Sequence, residues 1–244
     1  MSQVHPQGQD LTAQAIVDEQ FCCGTATTLT VWKKSLLFGG EGFTVFDSNG
    51  DLVFRVDTYG ADPSDDLVLM DKEGKGLLTL RRKFPSLHHR WEGFLGDKVE
   101  KPVFTVRRSS ILPTNKCVEV FMNCGFFWKP CADYQIEGSF SQRCFTIYTT
   151  SPRVAAAEVK RKCGAGGTML GKDVFSLCVE RGFDQAFIMG LIIALDHIFP
   201  DDDGDLIKKV VAEMSANSKE KAVAEISMDS KDKEAIEDPP QPVS

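Results

Sequence analysis

The residues best placed to do chemistry in this chain are cations spaced two apart on strand-like runs. In residues 77–83, Leu78 and Leu80 share one face while Thr79, Arg81 and Lys83 share the other, because successive side chains of a strand alternate. The same alternation sets Phe104 and Val106 against Thr105 and Arg107, and Ala157 and Val159 against Lys160 and Lys162. Apolar positions turn inward, so Arg81, Lys83, Arg107, Lys160 and Lys162 face water. On neighbouring strands these five would converge on an anionic group such as a phosphate-bearing headgroup. On separated strands they are ordinary solubilising charges, the commoner fate of Lys and Arg.

Other chemistries find weaker footing. The Gly164-Ala165-Gly166-Gly167 run lacks the G-x-x-x-x-G-K-[ST] order of a phosphate loop, since Gly171-Lys172 is followed by Asp173 and a strand-like run, so an inter-strand loop is the simpler reading. The acidic run Asp201-Asp202-Asp203-Gly204-Asp205 has a displaced turn glycine and no Glu closing a calcium loop, and Asp47 to Asp51 fails the same test at Leu52. Eight cysteines include no C-x-x-C pair, and Cys124 and Cys131 are too far apart in sequence for a zinc knuckle. No metal or cofactor is therefore expected. Adjacent Cys22 and Cys23 are candidates for a reversible acyl chain, although neither a basic nor an apolar flank marks them. The imidazoles His5, His88, His89 and His197 come without a G-x-S-x-G elbow or a familiar nucleophile neighbourhood. His197 reads as a C-terminal helix cap whose partial charge suits the helix dipole.

The elements that must carry these residues are short strands. From Thr28 onward, apolar alternation recurs between Gly, Asn, Asp and Pro, the rhythm of a sandwich or barrel. Residues 43–56 flank Asn49-Gly50, a pair predicting a hairpin with a type I′ turn. Runs 67–70 and 77–80 repeat that unit around Gly74 and Gly76. Further strands are expected over 28–33, 90–95, 103–109, 118–122, 134–138, 144–149, 156–161 and 174–179, about twelve in all. So many antiparallel strands are more stable closed than open, since closure removes exposed edges.

The pattern then changes. Residues 184–199 are apolar on every face through their middle, so the helix they form must be buried. Asp184 supplies an N-cap and Pro200 prevents continuation. Sixteen residues reach roughly 24 Å at 1.5 Å each, short of the roughly 20 apolar residues of a membrane span. The expected fold is mostly β: a closed antiparallel barrel around one central buried helix, over residues 17–205. Residues 1–16 are read as a flexible lead, and 206–244 as a short helix followed by a disordered acidic tail.

Charge excludes one class of partner. Of 35 acids and 28 bases, twelve acids and six bases fall in 201–244, leaving the preceding body at −1. Nucleic-acid binding through bulk charge needs a positive excess that this body lacks. The polar N-terminus has no signal-peptide pattern, so reduced thiols and a cytoplasmic, nuclear or peripheral membrane location are expected.

Three features in order, Val17-Asp18-Glu19-Gln20-Phe21-Cys22, the Asn-Gly hairpin and the apolar helix after the last strand, resemble the plant LURP-one-related family over residues 17–199. That family is similar in fold to the tubby C-terminal domain and to phospholipid scramblases, a twelve-stranded barrel around a hydrophobic helix. The resemblance implies a non-enzymatic binding or membrane-tethering module that takes a phosphoinositide headgroup or a protein partner, in plant defence or signalling, and a monomer is expected. A scramblase-type lipid-handling protein is the first alternative. A cryptic hydrolase is the second.

Overall fold

The computed structural model describes residues 15–34, 42–57, 66–96, 100–110, 117–122, 131–164, 168 and 170–199. The readings made for 1–14, for 165–167 of the glycine run, for Cys124 and for 200–244 lie outside these residues.

Period-two alternation produces twelve strands: β1 Thr27–Trp32, β2 Gly42–Phe46, β3 Leu52–Asp57, β4 Leu67–Asp71, β5 Gly76–Arg82, β6 Trp91–Leu95, β7 Phe104–Arg108, β8 Val118–Met122, β9 Tyr134–Ser139, β10 Cys144–Thr149, β11 Ala155–Arg161 and β12 Val174–Val179. Each pairs antiparallel with the next, and β1 pairs with β12 from Thr27↔Val179 to Trp32↔Val174, which closes the barrel. Closure leaves no strand edge unpaired. Inward positions are apolar and fully buried, among them Leu29, Val45, Phe54, Leu69, Leu80, Ile136, Ile147 and Leu177.

The helix α1, Gln185–Ile198, fills the interior. All of its residues except His197 are buried, as an all-round apolar helix requires. Glycines on the helix and on the wall leave room between them. A Cβ on Gly190 would stand 2.9 Å from Leu78 Cδ1. One on Gly93 of β6 would fall 2.2 Å from the ring of Phe104, which lies flat across that position and edge-on to Phe187. Two missing side chains thus make the room in which one aromatic ring joins sheet to helix.

Both hairpins form, but not with the expected type I′ turn. That turn needs positive φ at both central residues, whereas only Gly50 has it (φ 88°). The cause is Asp47. Its Oδ1 accepts the N–H groups of Asn49 at 2.8 Å and Asp51 at 2.9 Å, holding a wider turn closed by Asp47 N–H to Asp51 O. These bonds hold the Asp47 carboxyl below its ordinary pKa. The next hairpin repeats the device: Asp71 Oδ1 accepts Lys75 N–H at 2.8 Å, and Gly74 takes φ 88°.

Alternating strand direction sorts the chain into two ends. β1, β3, β5, β7, β9 and β11 finish where the helix finishes, and the even strands begin there. The two hairpin turns and the helix N-terminus lie at the opposite end.

Candidate functional site

Every cation singled out from the sequence lies toward the end at which the helix C-terminus emerges, because Arg81, Lys83, Arg107, Lys160 and Lys162 all sit at or just past the ends of odd-numbered strands. They are not neighbours around the barrel. β6 separates Arg81 and Lys83 from Arg107, while Lys160 and Lys162 stand on the far side of β8, β9 and β10. The structure therefore places Arg81, Lys83 and Arg107 within a span of three adjacent strands, β5 to β7, and leaves the other two apart.

Each of the five has a local partner. Arg81 Nε donates to Asp66 Oδ1 at 2.7 Å, and this carboxylate holds the guanidinium above its ordinary pKa. Lys83 lies 3.6 Å from Glu92, which Arg90 also meets at 2.9 Å. Arg107 pairs with Glu119 at 3.1 Å and stacks over Phe121. Lys160 meets Glu158 at 2.7 Å, and its pKa rises in consequence. Lys162 donates to Thr30 Oγ1 at 2.6 Å. Of these, the Lys160–Glu158 pair is exposed on both sides and contributes little to stability, whereas Glu92 is buried and the Arg107–Glu119 pair half-buried.

Alternation in the sequence pointed to outward cations and missed the inward ones. Arg82, Arg108 and Arg161 continue the inward rows of β5, β7 and β11, but at the last strand position, where the row opens on the barrel mouth instead of the core. Arg108 is buried with its guanidinium 4.9 Å from the Phe199 ring. Arg161 donates to the Leu170 carbonyl at 2.8 Å. Arg143, in the β9–β10 turn with φ 51°, is buried against Asp196 at 2.6 Å, and Lys33 meets the same carboxylate at 3.2 Å. A ring of positive charge thus surrounds the negative pole of the helix, where cations are favoured. At the opposite end the described turns and helix start carry Asp47, Asp51, Asp71, Glu73, Glu180 and Asp184 against Lys72, Lys75 and Arg181. Among the described residues, cations outnumber acids at the end where the helix finishes and acids outnumber cations at the other, which a net charge near zero conceals.

A second missed feature joins β5 to β6. Residues 81–90 read Arg-Arg-Lys-Phe-Pro-Ser-Leu-His-His-Arg, and the loop presents Phe84 at 59% exposure and Leu87 at 76%. The signal was two large apolar residues in a connection, bracketed by cations and belonging to no strand row.

This barrel can be set beside known proteins. The family model described as LURP-one-related matches residues 27–196. The chain belongs to the LURP-one-related family. Among its relatives, protein LURP-one-related 5 of Arabidopsis thaliana is 51% identical over 77% of this chain and 90% of its own length. LURP-one-related 12 of the same plant is 47% identical, over 80% and 89%. The X-ray structure of an Arabidopsis thaliana protein superposes with a TM-score of 0.58 at 26% identity, covering 75% of this chain and 98% of that one. Within the LURP-one-related barrel described here, no helix is long and apolar enough to cross a membrane.

His88, His197, Cys22 and Cys23 each make local contacts. The Nδ1–H of His88 donates to the Arg108 carbonyl at 3.0 Å, and that of His197 to Ile193 O at 3.0 Å with its ring packed on Trp91. His197 thus satisfies a carbonyl of the last helical turn. Cys22 and Cys23 lie at the acidic end beside Asp184, where Gln185 Nε2 donates to Cys23 Sγ at 2.8 Å. Burial, reinforced by the Asp184 carboxylate, pushes the Cys22 thiol up to about 11, which leaves it protonated and a poor nucleophile at neutral pH. The seven described cysteines are free thiols, and no three metal-ligating side chains cluster among the described residues.

Proposed function

We propose that this protein is a non-catalytic docking module whose cationic barrel end binds the phosphate-bearing headgroups of an anionic phospholipid surface. The observation that carries the reading is the separation of charge along the barrel axis. Arg81, Lys83, Arg90 and Arg107 lie on three adjacent strand ends, and these four cations share three carboxylates, Asp66, Glu92 and Glu119, with Glu92 serving both Lys83 and Arg90. Binding takes place outside the barrel, since Phe187, Ile188, Leu191, Ile192 and Leu195 occupy the space a lipocalin-like ligand would need.

The likeness in fold to tubby and scramblase proteins expected from the sequence points the same way. A scramblase-type mechanism through residues 186–195 lacks support, because those side chains face the barrel interior.

Co-sedimentation with phosphatidylserine-containing vesicles tests the reading. The wild-type chain pellets at low salt and is released at high salt, as screened headgroup contacts require. Arg81→Glu combined with Arg107→Glu weakens this binding about tenfold or more, with each reversed charge near the surface worth about 1 kcal/mol or more. Equal binding of both proteins to neutral and anionic vesicles would end the proposal.

A further inference from the structure

We infer that the β5–β6 loop is a lipid-insertion tip, in which Phe84 and Leu87 enter the apolar edge of an anionic bilayer while the flanking cations hold its headgroups. This rests on the docking reading above and adds to it a particular element and a second, uncharged source of affinity.

Four observations converge on the loop. Phe84 and Leu87 are the two most exposed large apolar side chains among the described residues. Two large apolar groups exposed within one short connection are a candidate for cover by another surface. They stand at the cationic end, next to Arg82, Lys83 and Arg90, with the Arg82 guanidinium 4.3 Å from the centre of the Phe84 ring. An arginine on that ring places a charge at headgroup depth just when the ring reaches the acyl boundary.

The loop is also held in shape. Lys83 N–H donates to Arg90 O at 2.9 Å, Arg90 N–H to Ser86 Oγ at 3.1 Å, and His88 is fastened to Arg108 of β7 by two bonds, its carbonyl accepting the Arg108 N–H and its ring Nδ1–H donating to the Arg108 carbonyl. Little ordering entropy is lost when a tip already formed is pressed into a surface. The fourth observation is the order of the residues: the exposed apolar pair lies in a connection bracketed by Arg82, Lys83 and Arg90, which suits a deformable anionic sheet. A protein groove would instead have to match both features rigidly.

Position strengthens the inference. A lipid attached at Cys22 or Cys23 would pull the acidic end toward the membrane, so the loop and the cysteines cannot serve one docking geometry. The charge of the rim selects the loop.

The test uses the full chain and vesicles of phosphatidylcholine with or without phosphatidylserine. Phe84→Ser with Leu87→Ser is expected to lower affinity for anionic vesicles about tenfold or more, with thermal melting unchanged because neither side chain is buried. Phe84→Trp, which keeps an insertable ring, is expected to bind like the wild type and to shift its emission to the blue on anionic vesicles only. If the double Ser variant binds as tightly as the wild type and the Trp emission stays put, insertion is wrong while charge-driven docking stands. If no protein binds either vesicle, both readings fail. Wild-type dimers that the Ser pair converts to monomers, without vesicle binding, would assign the tip to a protein contact and overturn the lipid inference.

Discussion

Leu191→Asp yields no cooperatively melting barrel. Leu191 lies at the middle of α1 with none of its surface exposed, and the wall closes around it on every side. A carboxylate there has neither water nor a counter-charge in reach, and such a group costs several kcal/mol against the roughly 5 to 15 kcal/mol that hold a domain together. Leu191→Met, which keeps volume and polarity, costs less than about 1.5 kcal/mol and serves as the control. Circular dichroism on heating checks both. A soluble Asp variant with a sharp transition near that of the wild type would mean that the helix is not enclosed.

Asp184→Ala produces the next largest loss, because one carboxylate does two jobs. Its Oδ1 accepts the N–H groups of Ala186 at 2.9 Å and Phe187 at 3.1 Å, capping the helix. Its Oδ2 accepts those of Ile16, Val17 and Asp18 at 3.0, 2.7 and 3.2 Å, which straps the N-terminal segment across the barrel's acidic end. Losing the cap alone costs up to about 2 kcal/mol, and losing charged bonds to the strap adds a similar amount. A total of about 3 kcal/mol lowers the melting temperature by roughly 10 °C in a chain of this size. Asp184→Asn separates the two jobs, since an amide oxygen can cap the helix while its NH₂ group cannot receive the strap. The Asn variant should therefore melt between the wild type and the Ala variant and be cut more readily by protease near residues 15–18. Equal melting of all three would show that the strap contributes nothing.

The fold was legible because its signals are local. Alternation marked all twelve strands to within a residue or two, Asp184 announced the helix start, and an apolar run too short for a bilayer had only the barrel interior to occupy. What stayed hidden was non-local or marginal. The bonds from Asp184 to residues 16–18 span more than 160 positions of chain, and nothing near either partner reports the other. Arg82, Arg108 and Arg161 obey the inward alternation but fall on the last residue of their strands, where inward means mouth and not core. The turn at Asn49-Gly50 was misread for a comparable reason: two bonds from the Asp47 side chain outweigh the dipeptide's own preference.

The candidate site follows the same division. Five outward cations could be named from spacing alone, yet their separation into two groups depends on strand order around a closed sheet. The tip at Phe84 and Leu87 was visible only as an interruption. Apolar residues that fit no row are easily discounted in a sequence, and their exposure gives them meaning only once the rows are built.

Oxidative footprinting of exposed side chains, read by mass spectrometry on the unmodified chain with and without phosphatidylserine vesicles, tests docking by the cationic end most directly. Phe84 and Leu87 are predicted to lose most of their labelling when vesicles are added, while Leu95, 44% exposed at the opposite end of β6, keeps its own. Protection of Leu95 with continued labelling of Phe84 and Leu87 would place the membrane at the wrong end of the barrel and contradict the account.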